Sequence, residues 1–296
     1  MKQLHDEYIH DLSEETILSI LQSPPWKLGE QAVSSAKTND NDFSEPNMQL
    51  LSEGDNTAGI NAFYDITFKK HVKHIVDIGG GRFDCNQHYM KHSRGIELLV
   101  WDPFNRSKAH NVEVQKKIQE RRADAVTSMS VLNVIPDVKS RLTHIVTCLS
   151  AIKIGGQAYF KIWPGDGNLR GSFFPIATNQ SYQANAFSNR FLREVQIVFG
   201  FNNVKIDPKI PNLIVANKVS EAYTSLSEMK WINHLSRIES NYFLRIRENF
   251  IRNLSSKLPI NTPFFASFFR DEMYRLRVLS DKSQTNYDKH YGMIKR

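Results

Sequence analysis

Hydrophobic positions change period several times along the chain. From Leu12 to Leu21 they recur at helical spacing, with Ser13, Glu14 and Glu15 suiting a helix start and Pro24-Pro25 closing it. Residues 34–57 are polar and turn-rich, and predict a loop or linker at a domain boundary. Beyond it, Ala62 to His71 reads as a short helix leading into a compact apolar strand, His74 to Ile78, which stops at Gly79-Gly80-Gly81. A second strand, Ile96 to Trp101, ends at Asp102-Pro103, and a charged helical stretch runs from Ser107 to Arg122. A third strand over Ala125–Leu132 and a helix over Val138–Ile152 follow, and Gly155-Gly156 introduces a fourth strand, Gln157 to Trp163. After a helix from Asn185 to Phe199, two short strands, Asn203–Asp207 and Leu213–Asn217, lie close enough together for a hairpin. Helical periodicity returns over Met229–Leu254 and Phe264–Leu279.

Strands separated by helix-length segments predict an α/β fold: a doubly wound, mostly parallel sheet with right-handed crossovers, an antiparallel edge hairpin, and helical extensions at both ends. Three segments are expected: 1–60 as an N-terminal helical segment and polar linker, 61–219 as the sheet domain, and 220–296 as a basic helical extension.

With 296 residues the chain can build one sizeable core with appendages. No apolar run approaches the ~20 residues that cross a bilayer, so a membrane role is not expected. The N-terminal residues carry acids and lack a basic stretch followed by an apolar one, so a cytoplasmic location is expected. Cys85 and Cys148, the two cysteines, read as small core residues in a reducing compartment. The ten histidines include pairs such as His71/His74 and His88/His92, but no third ligand stands near either, and no metal site is expected. The net charge is +7, and residues 221–296 hold 13 Lys/Arg against 8 Asp/Glu. A polyanionic partner would be drawn to that end, so nucleic acid is the expected macromolecular partner of the C-terminal helices.

The residues with the most chemistry are the glycines after the first strand. Missing Cβ atoms let a ligand approach the turn, and a helix opening near Asp84 aims free amides and a positive dipole end at the same space. About twenty residues on, Asp102 ends the next strand, where a carboxylate can accept the two ribose hydroxyls of an adenosine ligand. Trp101 or Phe104 could lie against an adenine, or simply pack the core. The NAD-type Gly-x-Gly-x-x-Gly pattern is matched less well, because position 84 is Asp.

Asp77-Ile78-Gly79-Gly80-Gly81 resembles the Asp/Glu-x-Gly-x-Gly signature of class I, Rossmann-like S-adenosylmethionine-dependent methyltransferases, and Asp102 resembles their ribose-gripping acid. The run from Asp124 to Ile135 is similar to the strand that lines their methyl-transfer site. Its Ser130-Val-Leu-Asn-Val-Ile135 part, with Asp102-Pro-Phe-Asn-Arg-Ser107, Gly165-Asp-Gly167 and Ser181-Tyr-Gln-Ala-Asn185, resembles bacterial and phage methyltransferases of poorly defined substrate, some found near DNA-modification systems. The resemblance covers about half the chain and implies S-adenosylmethionine as cofactor, held by Asp77, Gly79, Gly80, Gly81, Asp102, Pro103, Phe104, Ser130 and Val131. The family's third strand, with its adenine-contacting acid, is missing or compressed, since the helix ending near Arg122 runs almost directly into Asp124.

Methyl transfer needs in-line placement more than acid-base machinery. Lys161 resembles the strand-end lysine of RNA ribose 2′-O-methyltransferases and is the catalytic candidate. The aspartate and glutamate that accompany that lysine have no counterpart in Val126–Ser130 or in Pro211–Val215. The Asn/Asp-Pro-Pro-aromatic motif of DNA N-methyltransferases does not occur either. Asn133 could orient an acceptor or serve as a cap, as could Ser130. Asp166, Tyr182, Gln183 and Asn185 lie beyond strand ends and, with Asn133, make the candidate acceptor pocket. In the C-terminal helices, Arg237, Arg245, Arg247 and Arg252, with Tyr242 or Phe243, could form a nucleic-acid stripe. Alternatively Ile238, Phe243, Leu244, Ile246, Phe250 and Ile251 dock the helix on the core, which is the favoured expectation. A non-catalytic scaffold or nucleic-acid-binding subunit is the alternative to an enzyme, and a NAD-binding protein a more distant one.

Overall fold

The computed structural model describes residues 8–23, 25–26, 63, 65–81, 84–163, 176–177, 182–184, 186–221 and 224–255, with backbone alone at 85, 176–177, 182–183 and 242–255. In chain order the elements are α1 (Glu14–Leu21), β1 (His74–Ile78), α2 (Cys85–Arg94), β2 (Glu97–Trp101), α3 (Lys108–Glu120), β3 (Ala123–Met129), α4 (Val138–Ala151), β4 (Ile152–Lys161), β5 (Ile176–Ala177), β6 (Tyr182–Gln183), α5 (Asn189–Phe199), β7 (Val204–Ile206), β8 (Leu213–Asn217) and α6 (Leu226–Ser255). Several ends are set by capping side chains: Ser13, Ser107 and Asp137 each accept from an amide in the first turn of α1, α3 and α4. Gly95, in the left-handed region, closes α2.

The main sheet has the order β2-β1-β3-β4-β8-β7. β2, β1, β3 and β4 run parallel, and β8 is antiparallel to both β4 and β7. This is the α/β, mostly parallel, Rossmann-like sheet with an antiparallel edge that the pattern predicts. The chain leaves β1 first toward β2 and then crosses back to β3, so strand order reverses between β1 and β3. Right-handed crossovers then require α2 on one face and α3 on the other. The burial bears this out. Met90 of α2 packs with Ile75, Leu98, Ala125, Tyr159 and Val215. On the opposite face, Val114 and Ile118 of α3 join α4 and α5 over Val76, Ile78, Val126, Phe160 and Ile214. No strand lies outside β2 among the described residues, because α3 passes to β3 through Arg121 and Arg122 alone.

Four expectations need correction. The helix expected over Ala62–His71 is confined to its start: residues 63 and 65 are helical, 66–69 have no regular structure and 70–71 form a turn. The described residues 63 and 65–72 lie as a strap over the α2 face. Phe63, Ile66 and Val72 are buried there, Phe68 meets the Tyr159 ring edge-on, and Arg94 Nη1 donates to the Ile66 carbonyl at 2.7 Å. The third strand ends at Met129, and Leu132–Val134 are a turn of 3₁₀ helix. Ser130, at φ +58, turns the chain out of the sheet. The fourth strand begins at Ile152, five residues early, because Gly155-Gly156 is a bulge inside it and not its start. A Cβ at Gly156 would strike Ile152 Cγ2 and the Asp124 carbonyl, and Gly155 has φ +83. Finally, Ile238 is not a docking residue: it is exposed, and α6 lays Met229, Ile232 and Leu235 against the core.

The N-terminal residues belong to the same packing. Ile9, Ile17 and Leu21 are buried among the side chains of α4 and α5, and His10 sits between the hydroxyls of Ser236 and Ser240, 3.2 Å from each. The chain divides into two compact units, 1–241 and 242–296. The helix expected over Phe264–Leu279 and the linker at 34–57 lie outside the described residues, as do the side chains of Cys85 and of Tyr242 onward. Among the described residues no helix is long and apolar enough to cross a membrane, and no group of three His, Cys, Asp or Glu could hold a metal ion.

Candidate functional site

Because β1 to β4 are parallel, their carboxyl ends bring Ile78-Gly79, Trp101-Asp102, Met129-Ser130 and Lys161 to one edge, at the point where strand order reverses. The glycine turn is built from both sides. Gly79 N donates to the Trp101 carbonyl at 2.8 Å, and a Cβ on Gly79 would come within 2.6 Å of Val131 Cγ2. Gly80 leaves room for Asp77, whose Oδ2 would be 2.5 Å from a Cβ there. Over Gly81, at φ +77, a Cβ would meet nothing within 4 Å among the described residues. The first two glycines are thus required by the protein's own packing, whereas the third faces open space where a ligand can approach.

Asp102 is buried at the end of β2, and its carboxylate is surrounded by donors. Oδ2 accepts from Gly81 N at 2.9 Å and from Asn105 Nδ2 at 3.0 Å, while Oδ1 accepts from the amides of Phe104 at 2.9 Å and Asn105 at 3.0 Å. The Asp102 backbone is held by Asn111, which accepts from its amide and donates to its carbonyl, both at 2.9 Å. Arg106 closes the arrangement: Nε donates to the Gly81 carbonyl at 2.7 Å and Nη1 to Asp84 Oδ1 at 2.6 Å. The Asp84 charge at the mouth of α2 is therefore already paired, which offsets the repulsion it would exert on an anion.

Asp77 points to the α2 side of the sheet, as its neighbour Ile75 does by strand alternation. It is 1% exposed, and burial pushes its carboxyl up to about 7, against a lowering hydrogen bond from Thr127 Oγ1 at 2.8 Å. Asp102 raises it further, and Arg106 opposes. A ligand cation nearby would favour its charged form.

Pro103 and Phe104 are half-buried on the turn after Asp102, and Ser130 N donates to the Lys161 carbonyl at 2.8 Å. Lys161 shares its sheet face with Tyr159 by alternation, and its Nζ donates to the Pro211 carbonyl at 2.7 Å. Burial lowers its pKa, with Asp65 opposing. Asn133 is fully buried and its carbonyl accepts from Ala184 N at 2.6 Å, which brings β6, with Tyr182 and Gln183, beside it. Asp166 and Asn185 lie outside the described residues.

Several contributors are not among the sequence candidates. Asn105 and Arg106 lie in the Asp102–Ser107 segment singled out by its resemblance and Asn111 nine residues past Asp102, and the Asp102 bonds to the Phe104 and Asn105 amides form an Asx-type turn that the Asp-Pro-Phe-Asn order favours. Thr127 alternates onto the Asp77 face. Ser128 alternates to the other face, where its hydroxyl is 2.8 Å from His144 Nε2.

No family model matches the chain, and no curated protein matches it. Several solved structures are similar to it in fold. The sugar N-methyltransferase KedS8 from Streptoalloteichus sp. is 10% identical, with 65% of this chain and 100% of that one covered and a TM-score of 0.40. DesVI from Streptomyces venezuelae is 10% identical over 58% of this chain and 96% of that one, at 0.38. The S-adenosylmethionine-dependent methyltransferase SibL, in its apo form, is 16% identical over 58% and 57%, at 0.38.

Proposed function

We propose that the chain is an S-adenosylmethionine-dependent methyltransferase, with the adenosyl group over Gly81 and its ribose toward Asp102. The observation that carries the reading is the 2.9 Å bond from Gly81 N to Asp102 Oδ2, beside the open space above Gly81. It makes the glycine turn and the second strand's carboxylate two walls of one cradle at the switch point of a parallel sheet. When bound, the cofactor supplies an electrophilic methyl group on a sulfonium, so alignment and exclusion of water are the main demands on the protein.

The residues present suit that group. Gly79 and Gly80 hold the turn, Arg106 locks it to the β2 loop, and Val131 closes it from the β3 side. Asp77 gives the cradle an acidic floor suited to a cationic ligand. The acceptor would enter over Asn133, Tyr182 and Gln183, with Lys161 at the neighbouring strand end. A dinucleotide is less well supported by the sheet itself, which has two parallel strands on each side of the switch point and then an antiparallel hairpin, not two three-stranded nucleotide-binding halves.

Calorimetry with S-adenosylhomocysteine and with NAD, followed by radiolabelled methyl transfer to RNA, DNA, protein and metabolite fractions, tests this directly. Binding of the homocysteine compound and label in one fraction are expected. Preference for NAD, or no binding, would overturn the reading. The four donors already on Asp102 are also what a fold kept as a scaffold would show, and cofactor binding with no label in any fraction would favour that scaffold.

A further inference from the structure

We infer that the Asn105 side chain holds the ribose-accepting position of Asp102 closed, and that it sets the affinity of the site by competing with the ligand's hydroxyls. The inference rests on the adenosyl reading of the cradle. A carboxylate offers about four lone-pair sites. At Asp102 all four have donors, three of them backbone amides, from Gly81, Phe104 and Asn105. Those amides belong to the glycine turn and to the turn that carries Pro103, and cannot leave without remodelling both loops. The fourth donor, Asn105 Nδ2 at 3.0 Å, is the end of a half-buried side chain and not part of a backbone turn. It bonds to Oδ2, the oxygen that also accepts from the amide of Gly81, the residue over which a Cβ would meet nothing within 4 Å among the described residues.

A ribose hydroxyl reaching Asp102 over Gly81 must therefore displace the Asn105 amide or share its oxygen. The Asn105 amide and a ribose hydroxyl bond the same charged acceptor, so the exchange costs only part of one such bond and is readily reversed. Asn105 acts through Asp102 and is a positioning residue. In the closed arrangement it also keeps a buried carboxylate satisfied, which stabilises the cradle before a ligand arrives.

The test compares wild type with Asn105→Ala and Asn105→Leu, both of which keep the backbone donor, the second also keeping the branched side-chain shape. Binding of S-adenosylhomocysteine and of its 2′,3′-dideoxyribose analogue is measured by calorimetry, with circular dichroism confirming the fold. Both variants are expected to bind S-adenosylhomocysteine about 3- to 10-fold more tightly than wild type, while affinity for the dideoxy analogue is unchanged. Equal or weaker binding of S-adenosylhomocysteine by the variants, or the same gain for both ligands, would overturn the role of Asn105 and leave the adenosyl reading standing. Failure of all three proteins to bind S-adenosylhomocysteine would overturn both.

Discussion

Thr127 donates its hydroxyl to Oδ1 of Asp77 at 2.8 Å, across two adjacent parallel strands that are paired at these positions. The bond lowers the pKa of a carboxyl that burial drives up to about 7 from 3.8. The folded protein therefore holds a proton on Asp77 where the unfolded chain has released it. Stability from this group is fully present below about pH 4, declines as pH rises, and is lost above about 7, by up to about 4 kcal/mol. Urea unfolding from pH 4 to 8 should show that slope in wild type and lack it in Asp77→Asn. Thr127→Val should extend the decline to higher pH. A difference between wild type and Asp77→Asn that is flat across the range would remove the buried, raised carboxyl.

The glycines separate packing from binding. Gly79→Ala meets both a left-handed backbone and the Val131 side chain, and is expected to cost about 3 kcal/mol, part of it recovered by Val131→Ala. Gly81→Ala meets the backbone penalty alone, about 1 kcal/mol, yet should weaken S-adenosylhomocysteine at least tenfold by filling the approach to the turn. Thermal melts and calorimetry on the same two variants read the two effects. Unchanged affinity in Gly81→Ala would place the ligand elsewhere.

Arg141 and Glu194 join α4 to α5 through a two-pronged pair, with Nε to Oε2 at 2.8 Å and Nη2 to Oε1 at 2.9 Å, both side chains almost wholly buried. Arg141 also donates to the carbonyls of Ile135 and Pro136, which fixes the turn ahead of α4. Glu194→Gln leaves a buried guanidinium without its counter-charge and should cost about 3–5 kcal/mol. Removing both charges with Arg141→Met and Glu194→Leu should cost less than the first change alone. Denaturant midpoints decide it, and an additive double variant would contradict the coupling.

Lys161 is where proton transfer can be examined apart from cofactor binding. Lys161→Met should leave S-adenosylhomocysteine affinity within about twofold and lower methyl transfer about 10²-fold or more, as loss of a general base does. A transfer rate equal to wild type would assign the ammonium to tethering the Pro211 turn alone.

Much of the frame was legible in the residues, because the parallel strands are near-continuous apolar runs and their ends are marked by glycine or Asp-Pro. The Leu213–Asn217 strand is read to the residue, and β1 likewise. What was not legible depended on contacts between distant segments. Gly155-Gly156 has the look of a strand start, yet the pair survives inside β4 because Ile152 and Asp124 crowd the second glycine. β3 starts two residues early because the Asp124 carboxylate takes the amides of Lys73 and His74, 2.7 and 2.9 Å away, and so fastens β3 to the entry of β1. At the site, the meeting of the glycine turn with Asp102 follows from motif spacing. That Asp102 already has four donors depends on loop geometry that no periodicity encodes.

The docking of His10 between Ser236 and Ser240 bears on how the molecule is made. Residues near the start of the chain wait for partners more than 220 positions downstream. During synthesis His10 must therefore stay without these two partners until the first half of α6 has left the ribosome, a long-range closure that slows folding. Nascent chains halted before Ser236 should accordingly be more sensitive to proteases than chains extended far enough for Ser240 to clear the ribosome.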